Sequence, residues 1–417
     1  MSLIYPTLRP SYLTSFACVG SKSCLASCCE KKLFFLSKKE FEPFALIENT
    51  ELFTRAKLSF AKKIESSDQI YAFSRMNPNT GQCWMLDDQG MCRFVNKAET
   101  AVLQPQICAE YPSLTQQGPD GVQHFLSPSC PEVGKLFWNT PYLFQLELQN
   151  VEHRSTPREI KLAKALTDRY LLIRELGANV LQTIELPLHR RLMILFFATE
   201  QVRPAYERND VVAMQEILNT IVTLLQQEEP ALSFENVLCD EPLHAVMLTK
   251  FLQMRHDRQQ GAVGYDYVLT DVLLAFDLAD TSLPIDERSL AAIPRIAEGM
   301  ADLADHLQDS PYFFEQILLN HWLAYCFPSA SSQGLRVNML AFLLFYLLQR
   351  FLLAALAMAY HGEEFQRQAA RCIAFFHREW IDDSPMLFAA AMSMADSDLK
   401  DLSKVLSLLG SFVVEKK

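Results

Sequence analysis

Beyond residue 150 the apolar positions recur every three to four residues, Leu and Ala dominate, and strand-like alternation is rare. That period marks helices with one buried face. It predicts them over 157–176, 187–203, 209–227, 287–307, 312–324, 336–360 and 362–380. Thr156-Pro157-Arg158-Glu159 reads as a helix start. Threonine would accept from the third amide, Glu159 would reach back, and proline is tolerated at the first helical position. Asn209-Asp210 and Asp286 read as further caps. No fixed-period repeat is present, which argues against a solenoid.

The first 150 residues follow another pattern. Short apolar runs are broken by turn signals such as Asn77-Pro78-Asn79-Thr80-Gly81 and Gln117-Gly118-Pro119-Asp120-Gly121. Residues 69–73 and 91–95 read as short strands. A small, loop-rich region of this kind often needs a metal to hold its core. The expected fold is therefore mainly α. A small irregular cysteine-rich metal-binding N-terminal domain over 1–150 precedes a larger all-helical domain over 151–417, which would bind substrate or a partner.

Charge supports that division. Residues 1–150 carry 14 basic and 14 acidic side chains, so the whole net charge of −11 lies beyond them. An acidic chain lacks the basic footprint of a nucleic-acid binder. Half the residues are apolar and 21% are charged, too apolar for a disordered chain. No basic stretch followed by a long apolar run opens the sequence, so the expected address is cytoplasmic. Residues 339–360, MLAFLLFYLLQRFLLAALAMAY, are split by Gln349 and Arg350 into runs too short to span a bilayer. They read as a buried core helix, and no transmembrane segment is expected.

The cysteines change the picture most. Eight of the eleven fall between residues 18 and 130, at 18, 24, 28, 29, 83, 92, 108 and 130. In a reducing compartment such clustering points to metal or redox chemistry more than to disulfides. A helical turn would put Cys24 and Cys28 on one face, with Cys29 pointing about 100° away. Thiolates select zinc or iron–sulfur clusters over hard cations. The spacing Cys83-x8-Cys92, with only His124 nearby, departs from paired zinc-finger ligands and fits one or two iron–sulfur clusters better. The candidate metal ligands are Cys18, Cys24, Cys28, Cys29, Cys83, Cys92, Cys108 and Cys130. Cys239, Cys326 and Cys372 read as small core hydrophobes.

Within this framework, Phe16-Ala-Cys18-Val-Gly20-Ser21-Lys-Ser-Cys24-Leu-Ala-Ser27-Cys28-Cys29 resembles the opening of the flagellin lysine N-methylase family. So do Cys83…Leu86-Asp87…Cys92, Cys108-Ala-Glu-Tyr111-Pro112 and Leu126-Ser127-Pro-Ser129-Cys130-Pro131-Glu132. The family belongs with a wider group of eight-cysteine, iron- or zinc-chelating proteins, and the motifs cover residues 16–135. Glu30-Lys31 after the double cysteine and Ser113 after Tyr-Pro depart from its pattern. The resemblance implies methyl transfer from S-adenosylmethionine to flagellin lysines, a 4Fe-4S cluster in the enzyme, and cofactor contacts at Gly20, Ser21 and Pro112.

Such a reaction needs a lysine amine that has lost its proton, since its ordinary pKa is about 10.4. Desolvation or a nearby acceptor achieves this. The candidate catalytic residues are Tyr111, Glu110, Glu132 and Asp87, with Tyr111 placed first because Cys108-x-x-Tyr111-Pro112 sets it beside a candidate ligand. No Gly-x-Gly-x-x-Gly turn supports a dinucleotide-type fold. The radical pattern Cys-x3-Cys-x2-Cys fails at Lys31. Two rival functions stay open: a non-catalytic metal-binding (Fe–S or Zn) interaction protein, and an Fe–S oxidoreductase.

Overall fold

The computed structural model describes residues 3–19, 24, 28–29, 34–94, 103–139, 145–153, 158–159, 164–225, 234–258, 266–325, 334–382, 386–396 and 399–410. Gly20 and Ser21 lie outside them, as does Cys326. The described chain is mostly helical, as its apolar period requires.

The long apolar run becomes the helix Leu335–Ala359, buried from Asn338 to Ala357 except at Arg350. Helices Leu188–Glu207, Asp266–Ala275, Ile293–His306, Gly362–Phe376 and Met386–Asp396 pack around it. Among the described residues it is the one helix long and apolar enough to cross a membrane, and 94% of its most apolar window is buried inside the protein. Burying each Leu or Phe of this run contributes about 1.5–3 kcal/mol, so a central helix apolar all round is the stable solution.

Several element boundaries differ from expectation. Arg158 and Glu159 form a short strand, β8, whose backbone pairs with Gln116 and Gln117; they do not open a helix. The helix instead begins after them and runs Lys164–Leu181. The run expected over 287–307 divides into Ile285–Ala291 and Ile293–His306. Pro294 has no N–H to continue the ladder across Ala292. Asp210 caps its helix by accepting from the Ala213 amide at 3.0 Å, whereas Asp286 sits in a first turn and pairs with Lys250 at 2.7 Å.

The region before residue 160, expected to be irregular, holds eight strands among its described residues. Five form one sheet in the order β7 (Leu146–His153), β1 (Leu3–Pro10), β6 (Gly121–Leu126), β5 (Ser113–Gly118) and β8 (Arg158–Glu159). β1 runs antiparallel to β7 along its whole length and parallel to β6 at Thr7 and Leu8. The predicted turn at Pro119-Asp120 closes the β5–β6 hairpin. A second, three-stranded sheet orders β2 (Phe35–Leu36), β4 (Ala72–Ser74) and β3 (Phe60–Lys62). Of the two expected strands, residues 69–73 match β4 approximately. Of the expected strand over 91–95, Val95 lies outside the described residues, and the described 91–94 hold only an isolated bridge between Cys92 and Leu86.

Two apolar clusters result. The larger runs across residue 150: Tyr12, Phe125, Val133 and Phe137 join the helices in one core. The smaller contains Phe34, Leu36, Phe44, Leu52, Ala56, Phe60, Ala72, Met85 and Phe94. Polar contacts seal the sheet to the helices. Tyr12 donates to Asn320, which returns a bond to the Leu126 carbonyl at 3.0 Å, and Gln116 donates to the Ala324 carbonyl. Helix Pro131–Asn139 lies against helix Gly362–Phe376. Gly134 permits the approach, since a Cβ there would sit 3.2 Å from the Ala370 Cα.

Candidate functional site

Between the small apolar cluster and the starts of helices Gln106–Glu110 and Pro131–Asn139 lies a cavity of about 510 Å³. All eight N-terminal cysteines line it: Cys18, Cys24, Cys28, Cys29, Cys83, Cys92, Cys108 and Cys130. Separate local devices deliver them. Cys18 follows the short 3-10 turn Ser11–Ser15. Cys28 and Cys29 occupy a turn, so no helical face presents them at that point. Cys108 rides the short helix Gln106–Glu110, and Cys130 immediately precedes helix Pro131–Asn139.

The loop from Cys83 to Cys92 is built around Asp87. Its Oδ1 accepts from the Gln89 and Met91 amides at 2.9 and 2.8 Å. A short polar side chain folding its own backbone in this way is a turn-former. Arg55, on helix Thr50–Ser59, anchors the loop by donating to the Trp84 and Leu86 carbonyls. The Cys83 amide donates to the Cys29 carbonyl at 2.7 Å, which ties the double cysteine to the loop.

No disulfide joins the described cysteines. Cys28 Sγ and Cys29 Sγ are 4.0 Å apart, about twice the length of an S–S bond. Burial pushes the Cys130 thiol up to about 12, with negative charge at Cys24 and Cys28 adding to the effect against the Glu132 and Val133 amides. The bond to Cys28, then burial, raises Cys29, and Cys83 and Cys92 oppose its ionisation too. Burial also raises Cys83, although the Met85 amide and Ser59 favour its thiolate. The sulfurs therefore sense one another, and each thiolate formed disfavours the next.

That donor set fits a polynuclear iron–sulfur group. Soft sulfur ligands surround a shared space, and each added thiolate needs positive charge beside it. Among the described residues no three His, Cys, Asp or Glu side chains are grouped so as to hold a single metal ion. A polynuclear group presents several metal corners, so its ligands need not meet at a point.

The other candidates separate into two groups. Tyr111, Pro112 and Glu132 line the cavity. Tyr111 OH lies 3.2 Å from Ser129 Oγ, and burial raises its pKa, so the phenol stays neutral. Glu132 pairs with Lys135 at 2.7 Å. Glu110 and Asp87 stand outside the wall: Glu110 accepts from Gln106 at 3.3 Å, and Asp87 shapes its loop. The remaining wall is apolar, with Phe16, Phe34, Phe60, Met85, Met91 and Phe94 among its members. Cys372 is buried in the main core as expected, whereas Cys239 is only half-buried.

One contributor comes from far along the chain. Arg378 Nε donates to the Ser129 carbonyl at 2.9 Å, across 249 positions, and its guanidinium also hydrogen-bonds Tyr111. No spacing or motif announces it.

Fold and site thus define a mostly helical protein that encloses a cysteine-lined cavity. A family model of the FliB lysine N-methylase C-terminal domain matches residues 174–408, more than half of the chain. The chain belongs to the FliB family of flagellin lysine N-methylases. The match covers the helical part, whereas the cysteine motifs that suggested the family lie before it. No curated protein and no solved structure matches the chain.

Proposed function

We propose that the protein transfers a methyl group from S-adenosylmethionine to lysine side chains of flagellin in the cytoplasm, with an iron–sulfur cluster held in the cysteine cavity. The observation that carries this reading is the convergence of all eight cysteines on one cavity in a lysine N-methylase family member.

In the transfer the lysine nitrogen forms a bond to the methyl carbon while the carbon–sulfur bond breaks. The electron pair leaves with the sulfur, and the sulfonium becomes a neutral thioether. The ammonium must shed its proton beforehand. Apolar walls such as Phe34, Phe60 and Phe94 favour the neutral amine by withholding water. Glu132, a carboxylate in the wall, would accept that proton. Tyr111, kept neutral by burial, offers an oxygen to which the amine can orient. Holding nitrogen and methyl about 3–3.5 Å apart and in line then supplies most of the acceleration.

The cluster's ligands would come from Cys18, Cys24, Cys28, Cys29, Cys83, Cys92, Cys108 and Cys130. When bound, it would cross-link these segments and add positive charge among their sulfurs. Displacement at a sulfonium methyl requires no electron from it.

The decisive experiment incubates anaerobically purified protein with methyl-labelled S-adenosylmethionine and flagellin. Label is expected on flagellin lysines. A protein that carries its iron yet leaves flagellin unlabelled would overturn the assignment.

A further inference from the structure

Resting on the iron–sulfur reading above, we propose that Arg378 is a positioning residue for the cysteine cavity. It braces the segments that carry Cys108 and Cys130 and offsets the negative charge of the sulfurs when a cluster is bound.

The geometry begins two helices away. Helix Gly362–Phe376 is pressed against helix Pro131–Asn139 at Gly134. Past Phe376 the backbone widens into a π-helical stretch, His377–Asp382. Such stretches are rare and are frequently found at functional sites. Here the side chain of Arg378 reaches the Ser129 carbonyl at 2.9 Å. Ser129 directly precedes Cys130, and Tyr111 stands three residues after Cys108. One guanidinium therefore spans both segments, since it also bonds the Tyr111 hydroxyl.

The contact is embedded rather than incidental. Tyr111 OH meets Ser129 Oγ at 3.2 Å, Ser129 Oγ meets Ser127 Oγ at 2.7 Å, and Ser127 Oγ meets Tyr325 OH at 3.4 Å. Tyr325 and Arg378 both belong to the segment that matches the family model, so this row of hydroxyls joins it to the cysteine motifs.

Charge gives the arginine its second role. Among the described residues lining the cavity none is Lys or Arg, and Glu132 adds a carboxylate. Arg378 stands behind that wall and interacts electrostatically with Cys28 and Cys130. In a partly buried site such a cation is screened little, so it stabilises bound thiolates and favours the more reduced, more negative state of whatever they hold. Outer-shell partners of this kind typically change metal affinity by about 10–100-fold.

The test compares the full-length protein with Arg378→Gln, Arg378→Lys and, as a control on the preceding helix, Arg367→Gln, whose side chain is exposed and pairs with Glu364. Each is reconstituted anaerobically with ferrous iron and sulfide. Iron release to a chelator and the reduction potential are then measured, with melting curves to confirm folding. Arg378→Gln should release iron at least roughly 10-fold faster, with its potential moved to more negative values. Arg378→Lys should release iron faster because it loses the fork, yet hold its potential because it keeps the charge. Arg367→Gln should match the parent.

A parent that loads iron beside an Arg378→Gln protein with the same release rate and potential would sink this inference alone. If Arg378→Gln does not fold, Arg378→Lys decides: faster release at unchanged potential supports the role, and parental release overturns it. A parent that takes up no iron removes the cluster reading, and this proposal with it.

Discussion

The buried guanidinium of Arg174 meets Asp120 at 2.9 Å, joining helix Lys164–Leu181 to the tip of the β5–β6 hairpin. The same side chain donates to the Trp322 and Leu323 carbonyls and to Gln123, so it also grips helix Phe313–Ala324. Removing the guanidinium leaves the buried Trp322 and Leu323 carbonyls and the buried Gln123 without their donor, whereas exposed Asp120 regains water. Arg174→Met should therefore lower stability by about 3 kcal/mol, read as a fall in the urea midpoint. Methionine fills the apolar space but none of the bonds. An unchanged midpoint would mean that the hairpin is held by its apolar face alone.

Gly177 lies on that same helix, where glycine ordinarily costs about 1 kcal/mol relative to alanine. Position 177 should reverse the sign. A Cβ would fall 2.0 Å from two carbons of the Trp322 indole, whose Nε1 is held by the Arg174 carbonyl at 3.0 Å. The ring cannot retreat without breaking that bond. Gly177→Ala should destabilise by about 1–3 kcal/mol, as overpacked cores do. A stabilised variant in thermal melts would show that the indole is free to move.

His244 is almost fully buried, and burial, helped by Arg350, lowers its pKa from 6.5 to about 3. The folded state thus binds a proton less readily than the unfolded chain. The resulting stability is complete above pH 6.5 and is lost as the pH falls toward 3. At about 1.36 kcal/mol per unit, the step from 6.5 to 5 removes about 2 kcal/mol through this one group. His377, buried and also lowered by burial and by His321, adds in the same direction. Denaturation curves should begin to weaken near pH 6.5, and His244→Leu should flatten that decline by about 2 kcal/mol at pH 5. Parallel pH profiles for both proteins would reject the account.

The helices were legible because burial imposes its period on the letters: Leu335–Ala359 is apolar all round and sits at the centre. The sheet was not. β1 carries Pro6 and Pro10, which argue against a strand, and its pairing with β7 along its length and with β6 at Thr7 and Leu8 holds it extended. β7 itself, LELQNVEH, is largely exposed over residues 146–151 and shows no clean alternation there. Arg158-Glu159 looked like a helix start because capping residues are read locally, whereas the partner that claims them, β5, is some forty positions away. At the site, residue type announced the eight sulfurs, but spacing could not say that Cys108 and Cys130 would close the same cavity as Cys18. Asp87 kept company with the cysteines for another reason, since its carboxylate folds the loop. Arg378 carried no local signal at all; only the packing of helix Gly362–Phe376 brings it near.

The small apolar cluster makes the last prediction. Its nine buried residues include the stacked rings of Phe44, Phe60 and Phe94, and Cys83 and Cys92 pack at its edge. Nine apolar side chains are few for a region spanning residues 34 to 94, and cores of that size usually lean on a staple. If the cavity holds metal, its binding energy is partly folding energy for this region. The helix Leu335–Ala359, packed against at least six other helices among the described residues, draws on no such support. Stripping metal with a chelator should therefore raise amide hydrogen exchange across residues 34–94 while leaving residues 335–359 protected. Cys92→Ser should reproduce that pattern, and Cys372→Ser, altering a buried thiol away from the cavity, should not. Uniform exchange before and after chelation would show that the aromatic stack holds the region unaided, and the sulfurs would then need another reason to face one another.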